Sequence, residues 1–253
     1  MSGSWQELGF ASPWINAAGS QGFSPARDWP WCEPQGGFFT NPISLGQRTP
    51  ANDRTCLPFA GGFLLHTGLV NPGLRRVLQL NRARWQRSNL PIWVHLIGTP
   101  TEIHHMTQLL EDEGLVAGLE IGIPPEATPG QALELVSAAV GELPVLAAIA
   151  LNRANESWLA QLAEVGAAGL TITPPRGCLA DTDGKLVRGR LYGPALFPQT
   201  LAAVQTLSVG SLPIVVSVGI FTLGQGQTLL QTGAAALGLD AALWQPTNIP
   251  SKS

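Results

Sequence analysis

The residues of this 253-residue chain best suited to chemistry are His66, His95 and Glu120. His95 lies in the apolar run 92–97, Glu120 in the run 117–123, and His66 at the far end of a glycine-rich loop. An imidazole beside a carboxylate moves protons near neutral pH, and two histidines with a glutamate also make a weak metal site. The competing reading is structural, with His95 a hydrogen-bonded core residue and Glu120 its partner. His104 and His105 fall near a helix start and are expected in solvent. Arg48, Arg54 and Arg176 sit in loops or at a strand end, where a guanidinium can meet an anion or simply reach water. Cys32, Cys56 and Cys178 form no Cys-x-x-Cys pair, lack an evident activating neighbour, and read as structural thiols.

The elements that would carry these groups alternate along the chain. Strand patterns cover 14–17, 37–40, 92–97, 117–123, 145–150, 169–173, 214–218 and 236–239. Helical spacing covers 74–86, 102–112, 131–140, 156–165, 195–207 and 222–231. The strands are continuous apolar runs, as parallel strands are when both faces are buried. Helices end near Gly114, Gly141, Gly166 or Gly233, where a left-handed C-cap is expected. Eight βα units of roughly 30 residues predict a single-domain (β/α)8 TIM barrel of the α/β class, with a doubly wound open sheet as rival. His66, His95 and Glu120 would then meet at the C-terminal face of the strands.

Two stretches interrupt the alternation. Between residues 36 and 73 a short strand leads into a polar loop through Arg48, Asn52, Asp53 and Arg54, which closes on Gly61-Gly62. Around Asp183-Gly184 a β-hairpin insertion with a two-residue turn is expected on the C-terminal face. Residues 1–13 and 246–253 are expected to be flexible.

Apolar residues make up 45% of the chain, charged ones 12%, and the net charge is −3. Without a basic stripe the composition argues against nucleic acid. Three cysteines without a framework fit a reducing, cytoplasmic setting, and no apolar run is long enough to span a bilayer. Eight tryptophans and sparse charge leave room for a homo-oligomer surface.

Several short motifs follow one another in order: Asn16-Ala17-Ala18-Gly19-Ser20, the run from Gly37 to Leu45, and Gly68-Leu69-Val70-Asn71-Pro72-Gly73. Ala167-Ala168-Gly169-Leu170-Thr171, the hairpin into Gly193-Pro194-Ala195, and Pro213 through Ile220 complete the series. Together they resemble the dihydroorotate dehydrogenase family of FMN-dependent barrels. The resemblance implies FMN at the barrel mouth, with Ala18, Gly19, Gly193 and Gly219 at former flavin or phosphate positions. On the substrate side it implies Asn41, Asn71 and Arg176.

The departures from the family pattern concentrate where its chemistry lies. The family's Thr-Lys-Thr is Thr40-Asn41-Pro42 here, and its orotate-binding asparagine ahead of Gly-Leu-x-Asn-Pro-Gly falls on Leu65. Its Glu-x-Asn-x-Ser-Cys-Pro reads Glu120-Ile121-Gly122-Ile123-Pro124-Pro125, followed by a shorter loop. The lysine near the flavin falls on Ala148, and the asparagine after Leu-Thr-x-x on Pro174. At the phosphate cup, Ser-Gly becomes Tyr192-Gly193, Gly-Gly becomes Val218-Gly219, and Gly-Thr becomes Asp240-Ala241, unless a two-residue shift brings Gly238 there. Two functions follow as expectations. One is a flavin-independent or inactive relative, with no cofactor, serving as a binding or assembly protein for a small ligand or a protein partner. The other is an FMN oxidoreductase acting on a different pyrimidine-like or carbonyl-conjugated substrate.

Overall fold

Parallel strands and helices alternate along most of the chain, and the strands wrap into a barrel. The structure, a computed structural model, describes residues 4–26, 28–50 and 55–244. In chain order the strands are β1 (Trp14–Asn16), β2 (Phe38–Phe39), β3 (Thr55–Phe59), β4 (Gly62–His66), β5 (Ile92–Leu96), β6 (Gly118–Gly122), β7 (Val145–Ala150), β8 (Gly169–Thr173), β9 (Arg176–Ala180), β10 (Leu186–Tyr192), β11 (Ile214–Val216) and β12 (Ala236–Leu239). The helices are α1 (Leu74–Gln86), α2 (Pro100–Glu113), α3 (Pro129–Ser137), α4 (Phe197–Leu207) and α5 (Leu223–Thr232). Eight strands pair in parallel in the order β1-β12-β11-β8-β7-β6-β5-β2. A parallel bridge between Ile15 and Gly37 brings the two ends together, which decides for the barrel over the open sheet.

The pleat sorts the side chains. From β5 and β6, Val94, Leu96, Leu119 and Ile121 point outward and pack with Met106, Leu110 and Val136 of the helices. The alternate positions, Trp93, His95, Glu120 and Gly122, are left for the interior. Near the bottom, Trp93 stacks on Phe39 with ring centroids 5.5 Å apart, and Phe10 leans on it at 5.4 Å. Gly118 makes that layer possible, because a Cβ there would stand 2.6 Å from the Trp93 ring. Leu8 and Phe10 are buried, so part of the N-terminal segment expected to be flexible plugs the barrel floor. Residues 1–3 and 246–253 lie outside the described residues.

Helix ends follow their sequence signals in most places. Thr99, Thr128 and Thr222 form capping boxes with Glu102, Gln131 and Gln225, and Gly114 and Gly233 close α2 and α5 in the left-handed conformation. Gly141 does not cap α3, which ends on Ala138 in a right-handed conformation. The expected helix over 156–165 is a 3-10 helix at Ser157–Leu162, although Trp158, Leu159 and Leu162 are buried as its spacing requires.

A second sheet was not visible in the sequence. The stretch read as a loop closing on Gly61-Gly62 is a β-hairpin, β3 and β4, turning at Ala60-Gly61. It joins β10 and β9 in an antiparallel sheet of order β3-β4-β10-β9. The β9–β10 hairpin is present, but its turn is not the two-residue one expected at Asp183-Gly184. Leu186 pairs with Ala180, and the Asp181 amide bonds the Lys185 carbonyl at 2.9 Å around a left-handed Gly184. Asn52, Asp53 and Arg54 lie outside the described residues.

Candidate active site

His95 and Glu120 are register partners on adjacent parallel strands, so both project into the barrel at one level. His95 Nδ1 stands 2.5 Å from Glu120 Oε2, and each side chain is 2% exposed. A carboxylate only accepts, so Nδ1–H donates to it and Nε2 is the ring nitrogen it leaves unengaged. Nε2 is buried and has no hydrogen-bond partner among the described residues. It lies against Gly122, where a Cβ would come within 2.6 Å. Gly122 thus makes room for this imidazole.

Over the pair lies a cavity of about 740 Å³, between the barrel mouth and the antiparallel sheet. The barrel contributes His95, Gly122, Ala148, Ala150 and Thr173 to its lining, and the sheet contributes Leu65, Arg176, Arg190 and Tyr192. Gly19, Asn41 and Arg48 reach it from the loops, and His66 from the end of β4. Among the described residues no three His, Cys, Asp or Glu side chains converge as a metal site, so His66, His95 and Glu120 do not form the metal set their residue types allowed. Arg176 and Arg190 are directly opposite each other on β9 and β10. Burial, and then the charge of Arg190, hold the Arg176 guanidinium below its ordinary value, though its side chain still reaches solvent.

The other side of the mouth is filled. Tyr192 is buried, stacks on Phe63 at 5.2 Å and leans on Trp244 at 5.5 Å. Trp244 is held in turn by its Nε1–H donating to the Ser20 carbonyl at 3.0 Å. Asp240 follows β12 and is 5% exposed. Its Oδ1 accepts from the Ala241 amide, and its Oδ2 is buried without a partner among the described residues. Burial pushes the Asp240 carboxyl up to about 7, against the pull of the backbone amides and Arg190. Between Ala18, Ser217, Asp240, Arg190 and Tyr192 about 10 Å³ remains, room for about one water.

The remaining residues singled out by resemblance hold the scaffold together. Gly193 lies at the end of β10, where a Cβ would meet the Gly61 carbonyl at 2.1 Å. Gly219 packs against the start of α4, with Phe197 N 3.1 Å from a Cβ position. Gly238 faces Ser217, whose Oγ would be 2.2 Å from a Cβ there. Asn71 is 2% exposed and staples its loop: Oδ1 accepts from Ser44 N and Oγ and from Gly73 N, and Nδ2 donates to the Leu69 carbonyl. Asn41 accepts from the Gly22 amide at 2.9 Å while also lining the cavity.

No model of a known protein family matches the chain. A protein of Aeropyrum pernix carrying the name dihydroorotate dehydrogenase A (fumarate) is 28% identical over 174 residues, 62% of this chain and 56% of that protein. The catalytic subunit of dihydroorotate dehydrogenase B (NAD(+)) from Cutibacterium acnes is 26% identical over 234 residues, 83% of this chain and 72% of that one. A crystal structure of dihydroorotate dehydrogenase from Eimeria tenella, in complex with ferulenol, superposes with a TM-score of 0.70. That match covers 92% of this chain and 76% of the other at 15% identity, and it speaks for the fold. In sequence this chain is similar to dihydroorotate dehydrogenases, and it shares their barrel fold. It spans little more than half the length of the Aeropyrum relative.

Among the cavity-lining residues missed in the sequence, the cation Arg190 matters most. Arg190 carried a signal, because 176 and 190 are equidistant from Asp183 and pair once the turn is centred there. Among the described residues, no helix is long and apolar enough to cross a membrane.

Proposed function

We propose that this chain is a flavin-independent barrel that binds a small molecule in the cavity above His95 and Glu120. The observation that carries the reading is the contrast between the two sides of the barrel mouth. One keeps about 740 Å³ open, and the other, where the family seats its cofactor's phosphate, is packed by Tyr192, Phe63, Trp244 and Asp240. The residues present do not fit FMN. A phosphate needs open backbone N–H groups or cations. Here the glycines of the cup are packed against protein atoms, and a buried carboxyl stands nearby. Ala148 and Pro174 supply neither the positive charge nor the hydrogen bonds that a reduced flavin ring requires.

What the cavity offers instead is a histidine whose free nitrogen is oriented by a carboxylate. That arrangement holds one polar atom of a ligand and can take or return a proton there. An absorption spectrum of the purified protein, before and after adding FMN and desalting, tests the reading. No flavin bands are expected in either spectrum. Near-stoichiometric flavin retained after desalting would overturn it and restore an FMN oxidoreductase.

A further inference from the structure

We propose that Arg176 and Arg190 form a clamp for an anionic group, a carboxylate or a phosphate, carried by the ligand of the main cavity. The inference rests on the reading of that cavity as a ligand site and adds the chemical class of what enters it. Directly opposed residues of an antiparallel pair share a face, so β9 and β10 place two guanidinium groups side by side on the face turned to the cavity. Like charges in that position repel, and a sheet has no structural reason to keep them.

Neither arginine is relieved by an ion pair. Among the described residues the salt bridges are Arg82–Glu113, His95–Glu120 and Arg153–Glu156, all elsewhere. Arg190 meets the Tyr192 phenol and feels the Asp240 carboxyl, and Glu126 acts on Arg176 through the field, in each case without forming an ion pair. Arg48 adds a third cation at the cavity wall. Of the acids there, Glu102 is engaged in capping α2 through the Thr99 amide at 2.8 Å. Two planar forks presented together match the oxygens of a carboxylate or phosphate, with several charge-assisted bonds available. The anion's position is set by the hairpin register, and it leaves the remainder of the ligand over His95.

The test is a series of melting curves with inorganic phosphate, with succinate, and with chloride at matched ionic strength. Wild type is compared with Arg176→Gln, Arg176→Gln/Arg190→Gln and the cavity-filling Ala150→Trp. Phosphate or succinate, whichever is the better mimic, should raise the wild-type melting temperature by several degrees beyond chloride. The shift should shrink in the single variant and vanish in the double. In chloride alone the double variant should melt within a few degrees of wild type, because the relieved repulsion offsets the lost contact between Arg190 and the Tyr192 phenol. A shift that survives in the double variant overturns the clamp, as does the absence of any anion effect on wild type. If the surviving shift is lost in Ala150→Trp, the cavity reading stands while the clamp falls. Flavin uptake remains the separate measure of that reading.

Discussion

A Cβ built on Gly122 would stand 2.6 Å from the Nε2 of His95. The two positions are therefore linked: the imidazole occupies the space that any side chain at 122 would need. Gly122→Ala should push the ring off Glu120 and destabilise the protein by about 1–3 kcal/mol, the usual range for overpacking. In Gly122→Ala/His95→Ala the added methyl meets no ring, so the two costs should fall short of additive by more than about 0.5 kcal/mol. Urea unfolding of the four proteins measures this, and strict additivity would mean that the ring and the glycine are independent.

Asp240 gives the stability a pH dependence. Its carboxyl titrates near 7 in the folded protein, against an ordinary value of 3.8. Between those values the folded state holds a proton that the unfolded state has lost, so stability falls as pH rises through this window and levels off above it. At about 1.4 kcal/mol per unit the whole effect is on the order of 4 kcal/mol. Asp240→Asn removes the titration. Unfolding curves from pH 4 to 8 should therefore show the variant gaining on wild type as the pH rises. Parallel profiles would show that Asp240 is solvated after all.

The barrel was legible in the sequence because parallel strands buried on both faces leave continuous apolar runs, and the runs 145–150, 169–173 and 236–239 match β7, β8 and β12 to the residue. His95 and Glu120 were legible for the same reason, as polar residues inside such runs. The antiparallel sheet was not. In β3, Pro58 and the short alternation around Ala60-Gly61 hide a strand pair inside what reads as a loop. The Asp183-Gly184 signal was real but displaced by one residue. A two-residue turn there would pair Arg176 with Leu191 and put Arg190 on the opposite face. The observed register pairs the arginines instead, and a one-residue slip is enough to hide a site.

Asn71 illustrates how a motif can persist for structural reasons. Its amide satisfies the Ser44 and Gly73 amides and the Leu69 carbonyl, and Leu69 is held at a positive φ of 54° beside the cavity. Asn71→Ala would leave those buried groups unsatisfied, at a cost of about 1–3 kcal/mol for the first of them. The loss should be local: amide hydrogen exchange at residues 67–73 should speed up while the barrel strands keep their protection. Uniform acceleration across the barrel would instead make the loop part of the global folding unit.

Tyr192 should be the residue on which the closed side of the mouth depends. Its ring sits between Phe63 and Trp244, and truncation to alanine leaves a void that neighbours on a paired strand cannot fill by moving. Tyr192→Ala should cost about 3–5 kcal/mol, as for other buried aromatics. Tyr192→Phe keeps the stack and removes only the phenol beside Arg190, so it should cost about 1 kcal/mol. Unfolding free energies of the two variants separate packing from hydrogen bonding. If both lost stability equally, the phenol–guanidinium contact rather than the aromatic cluster would be what closes this side of the barrel.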